Sequence, residues 1–140
     1  ETNILACLTA KRLGVRKTVA SVENFDYVNT ADGLDIGTII NKKALAASHI
    51  YQMMLDANVA NVKFLMSINA DVAEFVPSPD SKITRKVVRE LNLPKGVTIG
   101  GLVRNGEGML VSGNTLIEAG DSVVVFCYNV DMKKVEKLFI

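Results

Sequence analysis

KITRKVVRELNLPKGVTIGGLVRNGEGMLVSGNTLIEAGDSVVVF, residues 82–126, is the stretch whose reading decides the fold. Val87, Val88 and Leu91 predict a short amphipathic helix that stops at Leu93-Pro94-Lys95-Gly96. A strand follows, then a turn through Asn105-Gly106-Glu107-Gly108, a second short strand, and a Gly120-Asp121 turn into a buried strand. Short strands punctuated by glycines predict a small self-contained sheet with one covering helix. No nucleophile, base or metal cluster interrupts the run. A module of that kind binds or couples.

Outward from this stretch the pattern continues in both directions. Downstream, Asp131 is placed to cap a last helix, MKKVEKLF, with Met132, Val135, Leu138 and Phe139 on one face. Upstream, Pro77 to Ser81 is a turn cluster, and Val62–Ile68 and Ala73–Val76 read as strands. Leu93, Val97, Ile99, Leu116, Val123 and Val125 are the expected core of this β-rich half, taken as residues 62–140.

The first part of the chain has a different rhythm. Thr2 to Leu13 puts Ile4, Leu5, Leu8, Ala10 and Leu13 near one helical face, with Lys11 and Arg12 in the last turn and Gly14 as the stop. Lys17–Val22 is a β-branched run expected to form a central strand covered on both faces. Asn24 caps a short helix that Gly33 ends, and Asp35–Ile40 is a further strand. Helix, strand, helix, strand predicts parallel pairing with right-handed crossovers, as in the second half of a doubly wound, Rossmann-like sheet. The expected fold class is therefore α/β followed by α+β, with residues 1–58 and 62–140 as the two domains.

Between them lies the longest predicted helix, Lys42–Ala57. Ala46, Ile50, Met53, Met54 and Ala57 form one apolar stripe, and Ala44, Tyr51 and Leu55 a second on another face. One stripe is expected to pack on its own domain. The second stripe is expected to meet either a second domain or a second copy of the chain, with a helix sandwiched inside one domain as the competing reading; a homodimer through Tyr51 follows from the second-copy reading.

Composition narrows the function. In 140 residues, 49% hydrophobic content is ample for a core, and sixteen basic against fifteen acidic residues leave a net charge of +1. The balance as a whole favours neither nucleic acid nor an anionic membrane. The longest apolar runs, Ile4–Leu8 and Val123–Cys127, are far short of the ~20 residues of a membrane span. No secretory signal is expected, and a chain that starts at Glu1 inside a helix is expected to be a piece of a longer protein. Cys7 and Cys127 lie far apart outside any C-x-x-C and are expected to be buried, reduced thiols.

No catalytic or metal-binding constellation is found. His49 stands alone among Ala, Ser and Ile and is expected to be packed or hydrogen-bonded. Asp71, Glu74, Asp80, Glu107, Glu118 and Asp121 are scattered through turns, and Asp121 is placed to satisfy turn amides. Gly100-Gly101 and Gly106-x-Gly108 lack the G-x-G-x-x-G spacing of a phosphate loop.

The order of segments resembles the cytosolic regulator-of-potassium-conductance (RCK/KTN) proteins of the TrkA type, over essentially the whole length. Glu1-x-Asn3 followed by ILACLTAKRLGVRKTVASV is similar to the helix and strand after the fourth strand of that family's nucleotide-binding fold. LDIGTIINKKALAASHI resembles its last strand and the crossover helix that pairs protomers. Leu91, Leu93-Pro94, Gly96, Ile99, Val103-Arg104, Gly113, Leu116 and Gly120-Asp121-Ser122 match the signature of its C-terminal ligand-sensing domain.

The resemblance implies a non-enzymatic, cytoplasmic regulatory subunit or domain of a bacterial potassium uptake system. It would lie peripherally on the inner face of the membrane, as a homodimer or higher oligomer with a membrane-embedded transporter as partner and without nucleic acid. A small-molecule ligand is implied too, with NAD(H) or ATP as cofactor in the intact protein. The family's Gly-rich turn and acidic ribose-binding residue would lie upstream of Glu1, so this chain by itself is not expected to hold a nucleotide. Glu1 and Asn3, with Thr2 between them, are the candidate cofactor-binding residues, and helix capping is the competing role for both. The acidic cluster that calcium would need is not evident. A portable sensing domain of another ion transporter, or the tail of an NAD-dependent enzyme, are the alternatives.

Overall fold

A computed structural model of the chain describes residues 1–31, 33–65 and 70–140. The chain divides into two compact units, Glu1–Ala47 and Ser48–Ile140. The division falls inside a helix, whereas the sequence places it after residue 58.

The first unit contains α1 (Thr2–Arg12), β1 (Val19–Ser21), α2 (Phe25–Ala31), β2 (Thr38–Ile40) and the start of α3 (Lys42–Met53). β1 and β2 pair in parallel, Val19 opposite Thr38 and Ser21 opposite Ile40, with α2 in the crossover. Asn24 Oδ1 accepts from the Asp26 amide at 2.9 Å and so caps α2. The strand expected over Asp35–Ile40 starts only at Thr38. Gly37 is at φ +83°, where a Cβ would lie 2.3 Å from the Thr18 carbonyl oxygen, so the backbone bends there. Two further expectations are corrected. β1 is not covered on both faces among the described residues, since Ala20 is buried but Val19 is 59% exposed. On α1 only Ile4 is buried, while Leu5 and Leu13 are exposed, and Cys7 is half-buried.

The second unit is an antiparallel sheet in the order β3-β4-β7-β5-β6. Its strands are β3 (Val59–Leu65), β4 (Ala70–Phe75), β5 (Val97–Arg104), β6 (Glu107–Leu110) and β7 (Ser122–Tyr128). The rest of the strand expected over Val62–Ile68 lies outside the described residues. Alternation along the strands buries Ala73, Phe75, Val97, Ile99, Val123, Val125 and Cys127. Ile83, Ile117, Met132, Val135 and Phe139 complete the core. The Phe75 and Phe139 rings stack with centroids 4.5 Å apart. Asn105 and Gly106, at φ +52° and +82°, make the two-residue turn between β5 and β6 that an Asn-Gly pair favours. α4 (Met132–Glu136) is capped by Asp131, whose Oδ1 accepts from the Lys133 amide at 3.0 Å.

The helix expected around Val87–Leu91 is absent. Two short 3₁₀ turns, Lys82–Thr84 and Val88–Glu90, stand in its place. The Val88 and Arg89 amides donate to the Thr115 and Gly113 carbonyls, each at 3.0 Å, and Val87 bridges Leu116. Tertiary partners have taken the backbone groups a helix would need. Leu116, expected in the core, is 44% exposed, and its neighbour Ile117 is fully buried instead.

On α3 the stripe through Tyr51 packs within its own chain, as the second-domain reading has it, rather than facing a second copy. The helix ends at Met53 rather than Ala57. Tyr51 packs against the core of the second unit and Leu55, just beyond the helix, belongs to that core. Ile50, Met53 and Met54 are 55%, 66% and 55% exposed. The Tyr51 hydroxyl donates to Asp131 Oδ1 at 3.0 Å, and the Asp56 amide donates to Glu136 Oε1 at 2.9 Å. Tyr51 is thus committed within its own chain. His49 is exposed rather than packed.

Candidate functional site

In a parallel α/β sheet, ligands sit beyond the carboxyl ends of the strands. In the first unit that end of β1 runs Ser21-Val22-Glu23-Asn24, and it faces the first turn of α1. A polar cleft of about 510 Å³ opens there, lined by Glu1, Thr2, Asn3, Ser21, Val22, Glu23, Asn24, Tyr27 and Lys42. Both candidate residues read from the sequence, Glu1 and Asn3, line it.

Each has a structural task. Asn3 Nδ2 donates to the Ser21 carbonyl at 2.8 Å, tying α1 to the end of β1. The Tyr27 hydroxyl donates to Glu1 Oε1, and that bond together with the Glu1 charge raises the phenol above its ordinary value. Neither side chain caps α1: Glu1 stands at the cap position and makes no side-chain cap bond. The competing capping role is therefore not the one they play.

Asn41, not itself a lining residue, supports the cleft from behind. It is 3% exposed. Its Nδ2 donates to the Val22 and Glu23 carbonyls at 2.9 and 3.1 Å, and its Oδ1 accepts from the Ala44 amide at 2.9 Å. One side chain thus caps α3 and fixes the β1 end. Lys42 Nζ stands 3.9 Å from Glu23 Oε1 across exposed surface. Carboxylates, a hydroxyl, an amide and a lysine around one cleft can exchange hydrogen bonds with a polar ligand such as a sugar hydroxyl. Ser21, Glu23 and Lys42 are not singled out in the sequence, and Asn24 is read there only as a helix cap. The parallel-strand rule applied to Ser21–Asn24 would have found most of them.

In the second unit the polar residues hold structure together. Cys127 is buried opposite Asp71 on the neighbouring strand. Burial and the Asp71 charge push its thiol up to about 11, so it is no nucleophile at neutral pH. Arg104 bridges Asp121 and Glu118. Among the described residues no group of three or more His, Cys, Asp or Glu is arranged to hold a metal ion. No helix among them is long and apolar enough to cross a membrane.

Residues 72–140 match the TrkA-C domain family. The chain is 35% identical over 137 residues to the Trk system potassium uptake protein TrkA of Azorhizobium caulinodans, covering 98% of this chain and 30% of that protein. It is 32% identical over 143 residues to the TrkA of Vibrio alginolyticus, covering 99% and 31%. The chain thus spans about a third of the length of these relatives. Among solved structures it is similar to the GsuK RCK domain, with a TM-score of 0.50, 16% identity, and 99% of this chain and 30% of that one covered. That likeness concerns the fold alone.

Proposed function

We propose, from the premise that residues 72–140 are a TrkA-C domain and that the whole chain is a relative of the TrkA-type proteins, that it is part of a non-enzymatic regulatory subunit of a bacterial potassium uptake system. The observation that carries the proposal is the unbroken similarity, over 98% of the chain, to a protein named for potassium uptake. In this proposal the first unit and α3 are the end of a Rossmann-like nucleotide-binding domain with its crossover helix, about residues 1–58. The unit from about residue 62 onward senses a small ligand. The protein works in the cytoplasm, against the inner face of the membrane, with a membrane-embedded potassium transporter as partner.

Two features support the finer parts. The cleft at Glu1 and Asn3 lies where a doubly wound sheet would receive a nucleotide, NAD(H) or ATP, in the intact protein. The exposed Ile50 and Met53 on α3, with Met54 just beyond it, form an apolar face suited to a second copy of the chain. Co-purification from membranes tests the proposal: a tagged form of the intact protein should bring down a potassium transporter subunit. Recovery of the tagged protein with no transporter, under conditions that preserve other membrane complexes, would count against it.

A further inference from the structure

The near-even charge total conceals a local imbalance. Between residues 82 and 95 stand Lys82, Arg85, Lys86, Arg89 and Lys95 against a single acid, Glu90. The remainder of the chain is accordingly net acidic. All five cations are exposed. Lys82, Lys86 and Lys95 make no ion pair among the described residues. Arg85 spends one nitrogen on the Asp80 carbonyl, at 2.7 Å, which orients it without neutralising it. Arg89 stands 3.9 Å from Glu90 with most of its side chain in solvent.

The backbone beneath these side chains is held in place. Ile83 and Ser81 are fully buried. The Ile83 amide donates to the Leu138 carbonyl at 2.9 Å, and the Val88 and Arg89 amides are bonded to the 113–115 segment. In a 3₁₀ turn, residues three apart stand one above the other, which brings Lys82 and Arg85 to the same side. Lys82 and Arg85 thus share one side of a fixed backbone, and Lys86, Arg89 and Lys95 stand exposed within the next ten residues, a platform dense in cations.

We infer that this platform is a docking surface for the anionic phospholipid headgroups of a membrane. Clusters of four or more Lys and Arg gain roughly 1 kcal/mol each at an anionic leaflet. Single-stranded nucleic acid fits less well, because residues 82–95 contain no aromatic side chain on which a base could stack. The cytoplasmic loops of a membrane transporter fit poorly too, since such loops are rich in Lys and Arg and would repel the patch. The headgroups around those loops have the complementary sign. The inference rests on the proposed membrane-side function only for its setting, and its test needs no transporter.

Flotation of the chain with vesicles of phosphatidylcholine and phosphatidylglycerol, mixed about 2:1, measures the binding directly. The wild type should float with these vesicles in about 50 mM salt, detach in about 500 mM salt, and ignore pure phosphatidylcholine. Lys82→Gln with Lys86→Gln should weaken partitioning by roughly thirtyfold, the equivalent of two lysine contacts. Lys133→Gln with Lys134→Gln, which removes the same net charge from α4, should change it less than threefold, on the order of the residual long-range attraction. Both variants change exposed side chains, and an unaltered thermal melt identifies them as folded. No flotation of the wild type, equal losses in the two variants, or tighter binding to single-stranded RNA than to the vesicles would each overturn the inference.

Discussion

Arg104 grips Asp121 with two parallel hydrogen bonds, Nε to Oδ1 at 2.7 Å and Nη2 to Oδ2 at 2.6 Å. The pair fastens the end of β5 to the turn that starts β7. The same carboxylate accepts from the Glu118 amide at 2.8 Å, and Arg104 also reaches the Leu116 carbonyl and Glu118. Asp121 is only 2% exposed, so removing its partner leaves a buried carboxylate short of donors. Arg104→Ala is expected to cost about 2–3 kcal/mol by chemical denaturation, somewhat below the fully buried range because the arginine keeps a quarter of its surface. Arg104→Lys should recover less than half, on the order of 1 kcal/mol, because an ammonium cannot reproduce the fork.

The same pair sets the acid limb. The Arg104 hydrogen bond holds the Asp121 carboxyl below its ordinary range. With the folded value lowered, the stabilisation is fully present above about pH 4, where the unfolded group is ionised, and is lost as pH falls through the folded value. Asp121→Asn should flatten that part of the pH–stability curve while lowering the plateau. An unchanged acid limb would mean that other carboxylates govern it.

At the alkaline end Tyr51 should contribute beside the buried Cys127 thiol, which is pushed up to about 11. Burial and the bond to Asp131 push the Tyr51 phenol up to about 12, from an ordinary 10. The folded state then holds the proton longer than the unfolded one, so stability falls as pH rises from about 10 to about 12. Tyr51→Phe should lower stability at neutral pH by about 1 kcal/mol and show a shallower alkaline decline. Urea melts at a series of pH values read both effects.

The glycines differ sharply in what they tolerate. Gly96 sits at φ +88°, and an added Cβ would lie 2.3 Å from the Tyr128 carbonyl oxygen. Gly96→Ala should therefore cost about 2 kcal/mol or more. Gly108, on exposed β6 with open space around it, should accept alanine within about 0.5 kcal/mol. Parallel thermal melts of the two variants distinguish backbone strain from a general intolerance of the hairpin.

Self-association should depend on the exposed face of α3. Ile50→Glu with Met53→Glu should shift the protein towards monomer in light scattering, whereas Tyr51→Phe should not. A wild type that is monomeric at high concentration would remove the basis for the α3 interface.

Much of this fold is legible where a residue's role is local. Asn105-Gly106 fixes a hairpin, Asp131 caps α4, and Val97, Ile99, Val123 and Val125 alternate inward because neighbouring strands share a pleat. Errors arise where distant partners decide. The amides of Val88 and Arg89 bond to the 113–115 segment and dissolve an expected helix, and no local pattern announces that pairing. On α3, two apolar stripes of similar quality left open which one was buried, and Asp131, eighty residues away, settles it by accepting from Tyr51. The cleft was half legible. Glu1 and Asn3 follow from the resemblance, while Glu23 and Lys42 gather there, with Asn41 bonded to the Val22 carbonyl behind them, only once β1 and β2 are paired.

Potassium transport is the most direct readout of the proposed function. Rubidium uptake should be measured, as a potassium tracer, in cells carrying the intact protein and in cells whose copy ends before residue 72, at potassium concentrations that limit growth. Altered uptake on removing the segment similar to the TrkA-C domain, with the transporter still present in the membrane at normal abundance, is the expected result. Identical uptake kinetics in the two strains, with the transporter demonstrably active, would contradict the regulatory function.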